Sequence, residues 1–94
     1  MSKYKIEFTG LMKRNMKLMQ RRGKDMSKMQ KVLEILVEGD MLPEQYRDHS
    51  LSGNYDGCRE CHIEPDWLLI YKVIEERLVL LLSRTGTHSD LFKK

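Results

Sequence analysis

The sequence predicts an α+β fold, with two N-terminal helices packed on one face of a mostly antiparallel sheet of about five strands. Three observations lead there. Apolar residues recur at helical spacing from Met12 to Val37, and from Gln45 onward the repeat shortens to two. Two apolar-dense runs, residues 67–74 and 77–84, flank Glu75-Glu76 like the arms of a hairpin. A short alternating run, Lys5-Ile6-Glu7-Phe8-Thr9, precedes the helices and supplies the first strand.

Each element has its own signal. Thr9 caps a helix in which Met12, Met16 and Met19 recur at i, i+4 and i+7, with Lys13, Arg14, Lys17 and Arg21 outside that stripe. Gly23 ends this helix and Asp25 caps the next. The second helix buries Met26, Met29, Val32, Leu33, Leu36 and Val37 and stops at Gly39, with Pro43 beyond. The methionines read as core filler rather than soft metal ligands. Residues 46–51 read as a strand, residues 52–57 as a turn-rich loop and residues 58–63 as the following strand. Glu64-Pro65 then turns the chain into the hairpin, whose apolar density marks two central strands. Thr87 and Asp90 are spaced as a capping box for a last short turn carrying Leu91 and Phe92. Two helices can cover only one face of such a sheet, so the other is left partly open.

A chain of 94 residues is expected to form one domain spanning 1–94. No apolar run approaches membrane-spanning length and no apolar segment follows the basic N-terminus, so a cytoplasmic protein is expected. Residues 1–31 hold ten Lys and Arg against two acids, a charge of +8; the remainder holds seven against twelve, a charge of −5. Such a basic half suits either a polyanion, nucleic acid above all, or simply solvated helix faces.

The chemistry-bearing residues fall at strand ends. Cys58-Arg59-Glu60-Cys61-His62 matches the C-x-x-C-H haem-attachment pattern, but alternation along a strand sends Cys58 and Cys61 to opposite faces. That argues against haem, a disulfide and paired zinc ligation alike. His49, His62 and His88 lie instead where separate segments end, as one polar site would require. His62 and Asp66 flank the Pro65 turn, and a carboxylate beside an imidazole fixes its tautomer and suits proton transfer. Trp67 and Phe92 have two readings each, core anchor or stacking surface for a base. Arg84 precedes Thr85-Gly86-Thr87, where a guanidinium can clamp a phosphate and Gly86 admits close backbone approach. There is no phosphate-binding glycine loop, serine-hydrolase elbow, HExxH or acidic metal cluster. Histidines as acid and base, with arginine and lysine for the phosphate, suffice to activate a ribose 2′-OH, so no metal and no cofactor is expected.

Three stretches carry a family resemblance: Asp48-His49-Ser50-Leu51-Ser52-Gly53, then His62-Ile63-Glu64-Pro65-Asp66-Trp67-Leu68-Leu69-Ile70-Tyr71-Lys72, then Arg84-Thr85-Gly86-Thr87-His88-Ser89-Asp90-Leu91-Phe92. In this order they resemble the RelE/ParE superfamily of type II toxin–antitoxin toxins, and within it the YafQ branch. The resemblance implies a RelE-like fold and an mRNA endonuclease that cuts ribosome-bound message in the A site. It also implies a DinJ-like cognate antitoxin that holds the toxin inactive, and contact with operator DNA only through that antitoxin. The YafQ-like site is built from residues matching His49, His62, Asp66, Trp67, His88 and Phe92. ParE-like members share the fold, target DNA gyrase and lack this histidine set; a gyrase-directed toxin is the alternative. The expected mechanism uses His49 or His62, oriented by Asp66, as base and His88 as acid. Arg84 and Arg59 stabilise the phosphorane, and Trp67 and Phe92 stack on the message. Lys13, Arg14, Lys17 and Arg21 anchor on ribosomal RNA.

Overall fold

A computed structural model describes residues 2–92. The chain runs β1 (Lys5–Phe8), α1 (Gly10–Arg21), α2 (Met26–Val37), β2 (His49–Ser50), β3 (Arg59–Glu64), β4 (Trp67–Ile74), β5 (Val79–Gly86) and α3 (His88–Phe92). The strands form one sheet in the order β1-β5-β4-β3-β2, antiparallel throughout except that β1 lies parallel to β5. This is the α+β arrangement the periodicities predict.

The caps fall where the sequence puts them. The Thr9 hydroxyl accepts from the Met12 amide, and the Asp25 carboxylate accepts from the Ser27 amide. Gly23 and Gly39 take φ of +83° and +82° after the two helices. In both cases the next amide reaches back to the last turn, Lys24 N to Met19 O and Asp40 N to Ile35 O, as the Schellman motif requires. The Thr87–Asp90 capping box also forms: the Asp90 amide donates to Thr87 Oγ1 at 3.1 Å, and the Thr87 amide to Asp90 Oδ2 at 2.9 Å.

Alternation along β4 separates two packed layers. Trp67, Leu69 and Tyr71 face the helices and join Met12, Met19, Met29, Val32 and Leu36. Leu68 and Ile70 face the other way, under Leu91 of α3, with Leu51, Tyr55, Cys58 and Phe92 around them. Each large aliphatic side chain so buried stabilises the fold by about 1.5–3 kcal/mol. That matters for α3, whose five residues are far too few to hold a helix unaided. Cys58 and Cys61 fall on opposite layers and are both free thiols.

Three boundaries differ from the sequence reading. The strand expected over residues 46–51 shrinks to His49–Ser50, because Glu44–Tyr46 closes a 3-10 turn and Arg47 adopts φ 48°. β3 is displaced by one residue, to Arg59–Glu64, with a bulge between His62 and Glu64 where the chain prepares to turn. β5 starts at Val79, after Leu78 takes φ 52° to leave the Glu75–Arg77 turn. A second register shift, opposite Ile70/Tyr71, leaves Ser83 without a strand partner, and its carbonyl instead accepts from Thr9 Oγ1 at 2.7 Å.

Candidate active site

Strand register draws the site across the face opposite α1 and α2. His49 pairs with Glu60, Glu60 with Ile70 and Ile70 with Arg84; one step along, His62 pairs with Leu68 and Leu68 with Gly86. Residues opposite one another in a ladder project to the same side. The three predicted histidines therefore converge, with ring centroids 6.4 Å apart for His49 and His62 and 5.7 Å for His62 and His88.

Hydrogen bonds fix how each ring presents its nitrogens. His62 Nδ1 lies 3.3 Å from the Pro65 carbonyl, which can only accept, so Nδ1 carries the proton and Nε2 of the neutral ring is a lone-pair acceptor. His49 is different. Its Nδ1 faces the Ser50 carbonyl at 3.1 Å and its Nε2 faces Glu60 Oε1 at 3.2 Å, so both bonds form fully only in the imidazolium. Glu60 Oε1 also lies 3.7 Å from His62 Nε2. Glu60 is deeply buried, 4% exposed, and among the described residues its Oε2 has no hydrogen-bond partner. Alternation along β3 puts Glu60 on the same strand face as His62, and that is the sequence signal for it.

His88 opens α3 and is held by Asp66. Asp66 Oδ1 accepts from the His88 backbone amide at 2.9 Å and from ring Nδ1 at 2.6 Å, leaving His88 Nε2 free. These two bonds, the backbone one first, hold the Asp66 carboxyl below its ordinary range. The expected pairing of Asp66 with His62 is thus corrected. The turn at Pro65 does bring them near in sequence, but the His62/Glu64 bulge sends Asp66 toward α3, and Pro65 itself takes the His62 ring.

Asp90 braces the same helix from below. Arg22 grips it with two contacts, Nη1 to Oδ2 at 2.6 Å and Nη2 to Oδ1 at 3.2 Å. That bond, with those from Thr87, holds the Asp90 carboxyl down at about 2. A carboxyl lowered on folding stabilises the fold above its unfolded value near 4 and loses that contribution as pH falls toward 2. The melting temperature is therefore expected to fall across that window, with a shallower acid limb in Asp90→Asn; identical limbs for the two proteins would contradict this.

The remaining predicted residues divide. Phe92 is on the site's face, edge-on to Tyr55 with centroids 5.9 Å apart. Arg84 is there too, half-buried, its Nη1 donating to the Tyr55 hydroxyl at 3.2 Å and its Nη2 to the Asp90 carbonyl at 3.5 Å. Trp67 is not a stacking surface: it is 0% exposed, packed with the helix layer, and its indole N–H donates to Thr85 Oγ1 at 2.9 Å. Arg59 does not join the histidines either. Alternation turns it away from Glu60 and His62, and its Nε is bound to Asp48 Oδ2 at 3.2 Å. Lys13, Arg14, Lys17 and Arg21 are all exposed on α1. Beside His62, a hollow of about 260 Å³ is lined by Gln45, Tyr46, Arg47 and Pro65 among others.

The chain and its fold have relatives among known proteins. Residues 4–93 match a family model described as "Bacterial toxin of type II toxin-antitoxin system, YafQ". The chain is 43% identical over 88 residues to the mRNA interferase toxin YafQ of Escherichia coli K12, covering 93% of this chain and 94% of that one. It superimposes on the toxin of the E. coli DinJ-YafQ toxin-antitoxin complex with a TM-score of 0.87 at 42% identity, covering 96% of this chain and 98% of that one. For YafQ from E. coli BL21(DE3) the TM-score is 0.88 at 40% identity, covering 95% of this chain and 98% of that one.

Proposed function

This chain belongs to the YafQ family of bacterial type II toxin–antitoxin toxins and is an mRNA interferase, and we propose that it cuts message presented in the ribosomal A site by metal-independent attack of the ribose 2′-OH. Its partner is a cognate antitoxin, DinJ-like in our reading, through which alone it meets operator DNA. We read residues 1–94 as one toxin domain acting in the cytoplasm, where translating message is found.

One observation carries the mechanism: three imidazoles on an open sheet face, each with Nδ1 held by a neighbouring acceptor. In a proton-transfer reaction the Nε2 atoms of His62 and His88 are then the working atoms. His62, with its Nε2 lone pair exposed to the site, removes the 2′-OH proton, and Glu60 nearby stabilises the imidazolium that results. The oxygen attacks the adjacent phosphorus, and the P–O5′ bond breaks. His88, oriented by Asp66, gives its Nε2 proton to the departing 5′-oxygen. His49, bonded to acceptors through both nitrogens, adds positive charge near the phosphorane, as does Arg84. The products are a 2′,3′-cyclic or 3′-phosphate and a 5′-hydroxyl. Phe92 stacks on a splayed base, and the hollow beside His62 takes a neighbouring nucleotide.

The exposed cations of α1 anchor on ribosomal RNA phosphates. The test is to map mRNA ends after induction, with translation running or blocked. Cuts that appear only during translation are expected, and reversing charge at Lys13, Arg14 and Lys17 together is expected to weaken ribosome association and flatten its salt dependence. Cuts in untranslated RNA would overturn the ribosome requirement, unchanged ribosome binding would overturn the anchor, and DNA damage with intact message would favour a gyrase-directed toxin.

A further inference from the structure

Granted the nuclease reading above, on which this rests, we propose that Tyr55 completes a nucleobase-binding corner with Phe92 and fixes Arg84 at the scissile phosphate.

Tyr55 stands on the connection between β2 and β3, and that loop is closed on itself. Leu51 N donates to Cys58 O at 2.9 Å and Cys58 N to Tyr55 O at 2.9 Å, beside a 3-10 turn over Gly53–Tyr55. Gly53 and Gly57 take φ of +66° and +88°, which lets the chain reverse within so short a span. The half-buried Tyr55 ring packs with Leu51, Cys58 and Phe92 over Leu68 and Ile70 of the sheet. A side chain backed by packing and a tied loop holds its geometry before any ligand arrives.

Tyr55 and Phe92 lie edge to face, with centroids 5.9 Å apart and planes 81° apart. Two rings near a right angle form a corner, in which a base stacked on one ring runs its edge against the other. One ring alone fixes only the plane of the base; the second stops it sliding. Both rings are half-buried, so each keeps part of its surface for a ligand. The floor of the corner is apolar, made by Leu68, Ile70 and Leu91, and its side is cationic, where Arg84 meets Tyr55. An aromatic platform beside a positive charge grips single-stranded nucleic acid whatever the base. Ladder register places Arg84 in one row with Ile70, Glu60 and His49, so the corner adjoins the imidazoles.

The hydroxyl has a separate role. Arg84 Nη1 donates to it at 3.2 Å, whereas the other hold, from Nη2 to the Asp90 carbonyl, is stretched to 3.5 Å. Arg84 Nε is buried and has no partner among the described residues. The Tyr55 hydroxyl is therefore the main polar restraint on the guanidinium, and its loss frees the fork to turn from the phosphorus. A charge stabilises a transition state to the extent that it is already in place. Tyr55 thus acts on the rate through Arg84, as a positioning residue, and on binding through its ring.

The whole chain, as wild type, Tyr55→Phe and Tyr55→Leu, is compared in thermal melts and in single-turnover cleavage on programmed ribosomes. Tyr55→Phe keeps the ring and should melt as the wild type does. Its maximal rate should fall about tenfold or more, the usual effect of one hydrogen bond to a charged group. In an Arg84→Ala background the same substitution should cost almost nothing further. A wild-type rate for Tyr55→Phe, full additivity with Arg84→Ala, or a rate loss that tracks a lowered melt would overturn the positioning role. For the corner, the probe is a message with a deoxyribose at the cut, which cannot be cleaved, and 2-aminopurine on either side of it in turn. Stacking quenches the fluorescence of that base. Wild type and Tyr55→Phe should quench it on one side, and Tyr55→Leu much less. Equal quenching by Tyr55→Leu, or none by wild type, would overturn the corner. Wild-type toxin that binds programmed ribosomes and leaves message whole would sink the nuclease reading and this subsite with it. Cleavage by every variant at one rate, with equal quenching, would sink the assignment of Tyr55 alone.

Discussion

His88→Ala is expected to cut message about 10²–10⁴-fold more slowly, the usual loss when a general acid is removed. The variant should melt normally and bind its antitoxin normally, because the His88 side chain is 48% exposed and its backbone amide still donates to Asp66. Single-turnover cleavage on programmed ribosomes measures it. Wild-type rates would remove His88 from the reaction, and a collapse in melting temperature would make its role structural.

The second large effect concerns stability. Trp67→Ala empties a fully buried indole site and removes the N–H that Thr85 Oγ1 accepts, a change of the kind that costs about 3–5 kcal/mol. At roughly 4–8 °C per kcal/mol for a domain of this size, the melting temperature should drop by more than about 12 °C. Trp67→Phe keeps most of the packing, forfeits one hydrogen bond worth about 1 kcal/mol and should retain most cleavage. A stacking residue would behave in the opposite way: Trp67→Ala would melt near the wild-type temperature and still fail to bind message.

Trp67 also shows where sequence reading stops. The two helices were legible because methionine and leucine spacing, Thr9, Asp25, Gly23 and Gly39 all argue for the same boundaries. β4 was legible because nothing but a central strand tolerates so dense an apolar run. That His49, His62 and His88 meet was legible from their places at segment ends together with the family motifs. Which carboxylate serves which ring was not. The bulge between His62 and Glu64 changes the phase of alternation, and a one-residue slip exchanges the two faces of a strand. Asp66 thereby goes to His88, Trp67 goes to the core, and the histidines on β2 and β3 are left with Glu60. Arg59 fails for the simpler reason that its neighbour in sequence already occupies the site's side of β3.

The parallel pairing of β1 with β5 has a further consequence for how the toxin comes to life. Lys5 to Phe8 find their ladder only in Val79 to Leu82, so the first strand made waits for nearly the last. Contacts spanning so much of the chain delay folding relative to local ones. A growing polypeptide therefore carries no finished nuclease until its synthesis is nearly complete.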